Sequence, residues 1–176
     1  FVVNKKNDVL GRVVVDYTQV NTRTEEHASI APDGARILEK AAGKKLHTVL
    51  DLVWGFSQFP ISGNTRDVLT ICTSRGLRQW RFLPMGPKQG PGICQSFCQS
   101  FVGDLKEVSV FIDDFHVGSD EWAEHLRSLE ELMKRGRKHG VQWRLAKTKR
   151  AQPEVILVGF KVSAAGEQAD PEKVLA

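Results

Sequence analysis

The sequence predicts an α+β fold in which short antiparallel hairpins and amphipathic helices follow one another irregularly. Three observations predict it. β-Branched and apolar runs sit on either side of tight polar turns, as in Val108–Ile112 and Phe115–Val117 around Asp113-Asp114. Apolar residues recur at helical spacing in three stretches of the chain. Strands and helices do not alternate one for one, which argues against a doubly wound parallel sheet.

Taken in order, Phe1–Asn4 and Val13–Tyr17 read as a hairpin across the polar loop Lys5–Gly11, whose Asn7-Asp8 supplies turn chemistry. Asn21–Pro32 reads as irregular, and Asp33–Ala42 as a helix. In it Asp33 is the N-cap, Ile37, Leu38 and Ala41 form the buried stripe, and Gly43 is the stop. Leu46–Leu52 is a strand with Val49 and Asp51 on one face. Val68–Thr73 and Gln79–Leu83 read as a second hairpin across Ser74-Arg75-Gly76, followed by a Pro/Gly-rich loop over Pro84–Gly92.

Ile93–Val102 reads as a helix with Phe97 and Phe101 one turn apart. After the hairpin around Asp113-Asp114, Ser119 or Asp120 caps a helix with Trp122, Leu126, Leu129 and Met133 as its buried stripe and Gly140 as its end. Val141–Leu145 and Val155–Val162 read as strands.

With 176 residues the chain is long enough for one domain with a real core. A net charge of +4 and a pI near 9.1 permit a polyanionic partner without demanding one. Three cysteines are too few and too odd for a disulfide framework, which points to a reducing, intracellular setting. For Cys94 and Cys98, two small apolar core residues is the favoured reading over a metal pair, since no His or Cys nearby completes a zinc site. No apolar run approaches the ~20 residues a membrane span needs. Both ends read as cut from a longer polypeptide, with no signal peptide ahead of the first strand.

The chemistry lies with three acidic residues. Asp113 and Asp114 are adjacent at a hairpin corner, and Asp51 ends another apolar strand. Two unit charges ~4 Å apart repel by roughly 4 kcal/mol at an effective dielectric near 20. A hard divalent cation removes that cost, and two such cations would suit a phosphoryl transfer. By itself an Asp-Asp pair at a corner is commonly just a turn; neighbouring segments change the reading.

VFIDDFHVGSD (Val110 to Asp120) resembles the catalytic hairpin of reverse transcriptases, and VLDLVWGFSQFPIS (Val49 to Ser62) their first catalytic motif. RVVVDYTQVN (Arg12 to Asn21) resembles a fingers segment, RFLPMGPKQGPGICQSF (Arg81 to Phe97) the template–substrate loop and helix, and EVILVGFKVSAAG (Glu154 to Gly166) the primer-grip hairpin. Five segments in the family's order span nearly the whole chain, with details similar to gypsy-type LTR retrotransposons. The resemblance implies right-hand polymerase fingers and palm, with an antiparallel palm sheet backed by helices. It places the fingers at about 1–27 and 59–89, the palm at about 28–58 and 90–165, and the start of the connection to a thumb at 166–176.

The resemblance also implies roles. Asp51, Asp113 and Asp114, with the Leu52 carbonyl, match the ligands of two Mg²⁺ ions, for which Mn²⁺ can substitute. Lys5 or Lys6, Arg12, Phe56, Met85, Gln95 and Lys147 fall at nucleotide-side positions: Arg12 and one lysine toward the triphosphate, Phe56 as a steric gate against a 2′-hydroxyl, Gln95 near the template and metal site, Lys147 near the leaving pyrophosphate. Phe111, Val158, Gly159 and Phe160 fall at primer or template positions. The implied partners are an RNA or DNA template with primer, dNTPs, and the thumb, ribonuclease H and integrase of a retroelement polyprotein, with no membrane. The implied location is the cytoplasm or a virus-like particle, with the nucleus a further option.

The chain departs from the family at Phe111 (usually Tyr), Met85 (Gln in retroviral relatives), Thr18 (commonly Arg) and Pro84–Lys88. Arg75, Arg78, Lys88 and the Lys134–Lys138 cluster are candidates for gripping the nucleic-acid backbone, although cations also suit a helix C-terminus. Two other readings stand beside polymerisation. One is a non-catalytic nucleic-acid-binding remnant of a retroelement. The other is a nucleotide cyclase, against which Phe56 and the primer-grip-like segment argue.

Overall fold

The computed structural model describes residues 2–3, 12–25 and 33–170. The chain runs β1 (Val2–Val3), β2 (Arg12–Val13), α1 (Thr18–Arg23), α2 (Gly34–Ala41), β3 (Leu46–Asp51), α3 (Gly63–Val68), β4 (Ile71–Thr73), β5 (Gly76–Arg78) and α4 (Gly90–Val102). It continues with β6 (Val108–Phe111), β7 (Asp114–Ser119), α5 (Trp122–Lys138), β8 (Lys149–Gln152), β9 (Glu154–Leu157), β10 (Phe160–Ser163) and β11 (Gly166–Ala169). Short 3-10 turns cover Gly55–Gln58 and Leu145–Lys147.

A four-stranded antiparallel sheet in the order β6-β7-β3-β8 forms the centre. Its β3–β7 register runs unbroken from Leu46 opposite Ser119 to Asp51 opposite Asp114. Helices α4 and α5 bury one face of this sheet: Leu50, Leu52, Cys94, Cys98, Phe101, Val110, Phe115, Val117 and Leu132 share one core. Cys94 and Cys98 are thus core residues, and the contact with Cys94, then burial, drives the Cys98 thiol pKa well up. A second, smaller core joins α2 to the β11-β10-β9 sheet through Leu38, Ala41, Val155, Leu157 and Val162.

Several expected elements are corrected. The stretch expected to be irregular from Asn21 opens inside α1, whose first turn is held by Asp16, its carboxylate accepting from Thr18 N–H and Oγ1–H. Val68 ends a helix, so the second hairpin is only β4–β5, and Gln79–Leu83 is not a strand apart from a single bridge from Phe82 to Pro60. Helix α4 starts three residues early, at Gly90, because Pro91 is tolerated in a first turn that needs no donor. Val141–Leu145 is irregular; Trp143 alone bridges to Leu52. Val155–Val162 is a hairpin, β9–β10, rather than a single strand. β8 and β11 had no period-two signal to find.

Of the expected α5 stripe, Leu129 and Met133 pack partly buried against the core, but the most buried line is rotated by one residue. Trp122 and Leu126 are 55% and 48% exposed, while His125, Ser128, Leu132 and Gly136 are buried. Gly136 explains the rotation. A Cβ there would lie 2.7 Å from the Trp143 ring, so the helix can press this face against Trp143 only with glycine. Neither Ser119 nor Asp120 caps the helix: the N-cap residue is Glu121, and the Ser119 hydroxyl meets His125 Nδ1 at 2.8 Å.

His125 Nε2 also meets the Thr48 hydroxyl at 2.7 Å, and a second buried polar contact joins His47 to His116. His47 Nε2 lies 2.9 Å from the Lys44 carbonyl and must donate to it, which leaves His47 Nδ1 to accept from His116 Nε2 at 3.0 Å. Burial first, then the neighbouring His47 and His125, hold the His116 pKa down to about 3, so the ring stays neutral.

The helix rotation is directly testable. Leu132→Ala should cost about 2–5 kcal/mol in denaturant unfolding, as a fully buried leucine does. Trp122→Ala, the larger truncation, should stay within about 1 kcal/mol. The reverse ranking would put the apolar stripe back where the sequence periodicity places it.

Candidate active site

The β3–β7 register decides the geometry. It sets Asp51 directly across from Asp114, at the ends of adjacent strands, with Asp113 in the preceding turn. The turn is a two-residue connection, Ile112-Asp113, between paired Phe111 and Asp114. Ile112 has φ +59°, a left-handed conformation that a β-branched residue adopts only under constraint. The constraint is visible. Ile112 N–H donates to Gln95 Oε1 at 2.7 Å, and the Ile112 carbonyl accepts from Cys94 Sγ at 3.3 Å.

On the opposite side, Trp54 turns the chain with φ +53° and Gly55 opens the 3-10 turn. A Cβ on Gly55 would lie 2.7 Å from Asp113 Oδ2, so the chain after β3 can pass this close to Asp113 only with glycine. Leu52 is fully buried, its N–H donating to the Asp113 carbonyl at 3.3 Å, which ties the β3 end to the hairpin.

The three carboxylates influence one another. Loss of water around the Asp114 carboxyl, then the charges of Asp113 and Asp51, push its pKa up to about 6. Asp114 as a residue keeps solvent access, so neighbouring charge is the sturdier of the two causes. Asp51 has turned partly toward a cation: Arg144 Nη1 lies 3.4 Å from its Oδ2, and Arg144 N–H donates to the Asp51 carbonyl at 2.8 Å. Among the described residues no three acidic, His or Cys side chains are already gathered at metal-binding distance. The triad is a cluster of neighbouring charges whose hard oxygen donors suit Mg²⁺ or Mn²⁺.

The other expected site residues distribute as follows. Phe56, half-buried on the 3-10 turn, faces Gly90 at the start of α4; a Cβ on Gly90 would be 3.5 Å from its ring. Met85 is exposed in the loop before α4. Asn21 holds that loop, donating to the Gly86 carbonyl at 2.9 Å and accepting from Lys88 N–H at 2.8 Å. Lys147 is exposed on the second 3-10 turn. Arg12 lies on β2 opposite Val3, while Lys5 and Lys6 lie outside the described residues.

Gln95 is corrected. Its side chain is buried against the hairpin backbone, with both amide ends engaged there, and is not free to meet a nucleotide. In the Lys134–Lys138 cluster, Lys134 pairs with Glu130 at 2.8 Å, and Arg135 pairs with Glu131 and Asp104, so two of its cations serve the helix.

Val158 and Gly159 form the β9–β10 turn, both at positive φ (+48° and +84°), and Phe160 follows, partly exposed. This turn sits beside the β6–β7 hairpin. A Cβ on Gly34 would lie 3.1 Å from Val158 Cγ1 and 3.9 Å from the Phe111 ring, so the start of α2 is wedged between the two. Arg144, Gly55 and the hairpin role of Gln95 escaped sequence reasoning. Gly55 carried a weak signal as a small residue four positions after Asp51, and Arg144 carried none.

With the fold and the geometry of the carboxylates described, the comparisons name the family. Residues 3–162 match the family described as reverse transcriptase (RNA-dependent DNA polymerase), and the chain belongs to that family. It is 30% identical over 167 residues to the retrovirus-related Pol polyprotein from transposon opus of Drosophila melanogaster, covering 94% of this chain and 17% of that protein. It is 30% identical over 162 residues to the Pro-Pol polyprotein of simian foamy virus type 1 (92% and 14%), and 27% identical over 183 residues to the Pol polyprotein from transposon gypsy of Drosophila (100% and 18%). The chain therefore spans less than a fifth of these relatives.

A foamy viral protease–reverse transcriptase in complex with double-stranded DNA matches the fold with TM-score 0.88 at 24% identity, over 96% of this chain and 30% of that one. Its complex with an RNA/DNA hybrid matches with TM-score 0.85 at 23% identity, over 94% of this chain and 23% of that one. These likenesses show that the chain has the fold of those proteins, with the β6-β7-β3-β8 sheet at its centre.

The raised Asp114 pKa gives a signed prediction for the metal-free chain. A carboxyl whose folded pKa rises from 3.8 to about 6 favours folding while protonated, and that contribution is lost as pH rises between those values. Asp114→Asn should therefore raise the melting temperature at pH 7, with the advantage gone by about pH 4. An Asn variant no more stable than wild type at pH 7 would show that the carboxylates do not repel one another as described.

Proposed function

We propose that the chain is the catalytic core of a retroelement reverse transcriptase, adding deoxynucleotides to a primer 3′-hydroxyl on an RNA or DNA template as part of a longer polyprotein. The observation that carries this reading is the register pairing of Asp51 with Asp114, beside Asp113, in a chain of this family. Asp51, Asp113 and Asp114, with the Leu52 carbonyl, would hold divalent magnesium, or manganese in its place. Such ions supply Lewis acidity to the attacking hydroxyl and to the leaving pyrophosphate when bound.

The chain's own residues do the rest. The hairpin fixes two carboxylates on one side and β3 fixes the third on the other. Phe56 is set at the floor of the incoming sugar, where its ring excludes a 2′-hydroxyl. Arg12, one of Lys5 and Lys6, and Lys147 would neutralise triphosphate charge. The Val158–Phe160 turn, leaning on α2 beside Phe111, would hold the primer end. Duplex DNA and RNA/DNA hybrid, bound by the foamy viral proteins, are the partners this reading expects here.

One observation favours a second reading, a nucleic-acid-binding remnant without catalysis: Arg144 already pairs with Asp51 and competes for its charge. Primer extension with dNTPs and Mg²⁺, by the chain alone and within its polyprotein, separates the two. Extension is expected. Template–primer binding without extension in either form would establish the remnant.

Two substitutions sharpen the test. Asp113→Asn should lower extension by at least about 100-fold while leaving duplex affinity within about threefold, because it removes charge from the metal site and none from the grip. An unchanged rate would refute the metal assignment. Phe56→Ala should admit ribonucleotides, and unaltered sugar selectivity in competition assays would remove the gate.

A further inference from the structure

The segment after α5 carries a cation to which the polymerase reading gives no role. Residues 142–144 run antiparallel beside the end of β3, on the side away from β7. Val53 N–H donates to the Gln142 carbonyl at 2.9 Å, Arg144 N–H donates to the Asp51 carbonyl at 2.8 Å, and Leu52 bridges Trp143 between them. The Trp143 ring turns to the core, where it meets Phe115 edge-on at 4.8 Å. Side chains alternate along an extended segment, so Arg144 turns the other way, to the face that carries Asp51. One neighbour of β3 therefore sets Asp114 opposite Asp51, and the other sets Arg144 opposite it. The order across the sheet is acid, acid, base.

The base is close without being clasped. Arg144 Nη1 lies 3.4 Å from Asp51 Oδ2, and the two side chains keep 25% and 27% of their surface accessible. A tight charge-assisted hydrogen bond would be shorter, about 2.8 Å. At this separation the guanidinium offsets the carboxylate's charge and leaves the carboxylate able to turn to another cation.

The segment does not need this pair to hold its place. Gln58 Nε2 donates to the Val53 and Gln142 carbonyls at 2.6 and 2.9 Å, and Gln58 Oε1 accepts from Gln142 N–H at 2.9 Å. Trp143 is pressed against Gly136, where only glycine fits. Backbone pairing, Gln58 and Trp143 fix residues 142–144, so the Arg144 side chain is left with an electrostatic role.

We propose that Arg144 is a built-in counter-cation that competes with a divalent ion for Asp51 and so sets how readily the carboxylates take up metal. The inference rests on the polymerase reading for the identity of that ion. A dication on Asp51 is repelled by the guanidinium beside it, and must displace Arg144 or share the carboxylate with it. Either course weakens binding, and Arg144 cannot yield by losing its proton. Arg144 is thus a residue that tunes the metal threshold of the site, acting through Asp51.

The test titrates Mn²⁺ without nucleotide into wild type, Arg144→Gln and Arg144→Lys by calorimetry. It also reads the Mn²⁺ concentration that half-activates primer extension. The Gln variant should bind Mn²⁺ on the order of 5–10-fold more tightly, and its half-activating concentration should fall. The Lys variant, which keeps the charge, should bind within about twofold of wild type. The sign separates this role from a structural one, because losing a residue that merely braced a metal ligand would weaken binding.

Unchanged or weaker Mn²⁺ binding by a folded Gln variant overturns the proposal. So does an unchanged half-activating concentration, or a Lys variant that tightens as much as the Gln variant. If the Gln variant does not fold, Arg144→Met, which keeps the aliphatic stem, is read in the same way. Absence of Mn²⁺ binding in every form overturns the metal assignment and this proposal with it. A wild-type chain that binds Mn²⁺ but extends no primer, alone or in its polyprotein, overturns the polymerase reading instead, and the Mn²⁺ titration still decides for or against Arg144.

Discussion

The structure depends on the antiparallel pairing of β3 with β7. Six consecutive residue pairs fix the two strands, and the last of them is Asp51 with Asp114. Side chains alternate across a sheet, so a slip of one residue would send Asp51 to the opposite face and break the site. The buried residues on the same strands, Leu50, Phe115 and Val117, forbid that slip, because it would carry them out of the core as well. Hydrophobic burial along the paired strands thus holds like charges together at their ends.

The cost of that arrangement shows in the surroundings. The Asp114 pKa stands well above the usual carboxylate range, Asp51 leans on Arg144, and three non-glycine residues next to the site, Trp54, Ile112 and Val158, take left-handed backbone. Strain of this kind persists only where packing overdetermines it. Here the packing is specific: Gly55 lets the chain pass against Asp113, Gly34 lets α2 enter between Val158 and Phe111, and Gln95 holds Ile112. The catalytic hairpin and the β9–β10 turn are therefore supported by the same helices that cover the palm sheet. A disturbance of α2 or α4 should reach both.

Arg144 gives the site a particular character. A guanidinium near Asp51 offsets part of the repulsion within the triad, and an incoming divalent cation would have to displace it or share the carboxylate. The residue stands in the irregular segment after α5, where Trp143 reaches Leu52 and packs against Phe115 and Gly136. The far end of α5 thereby helps shape the floor of the site through one tryptophan.

Much of this was legible in the residues. The catalytic hairpin, the strand ending in Asp51, α2 with its Asp33 cap and Gly43 stop, and the three acidic positions all follow from local rules: alternation, capping and turn chemistry act over a few residues and need no partner to be read. The resemblance in five ordered segments pointed to the family that the comparisons then established. What local rules missed was set by long-range contact. The face that α5 buries was decided by Gly136 meeting Trp143, against the periodicity of Trp122 and Leu126, and β8 forms because the β3 edge was open to it. Gln95 read as a polar residue bound for a ligand until the tertiary structure brought the edge of β6 alongside it. The sequence by itself determined which side chains could do the chemistry, since donor type and local turn preference are properties of neighbouring residues. Only the tertiary structure decided how they are aimed, because a carboxylate's direction depends on the register and edges of strands far apart in the chain.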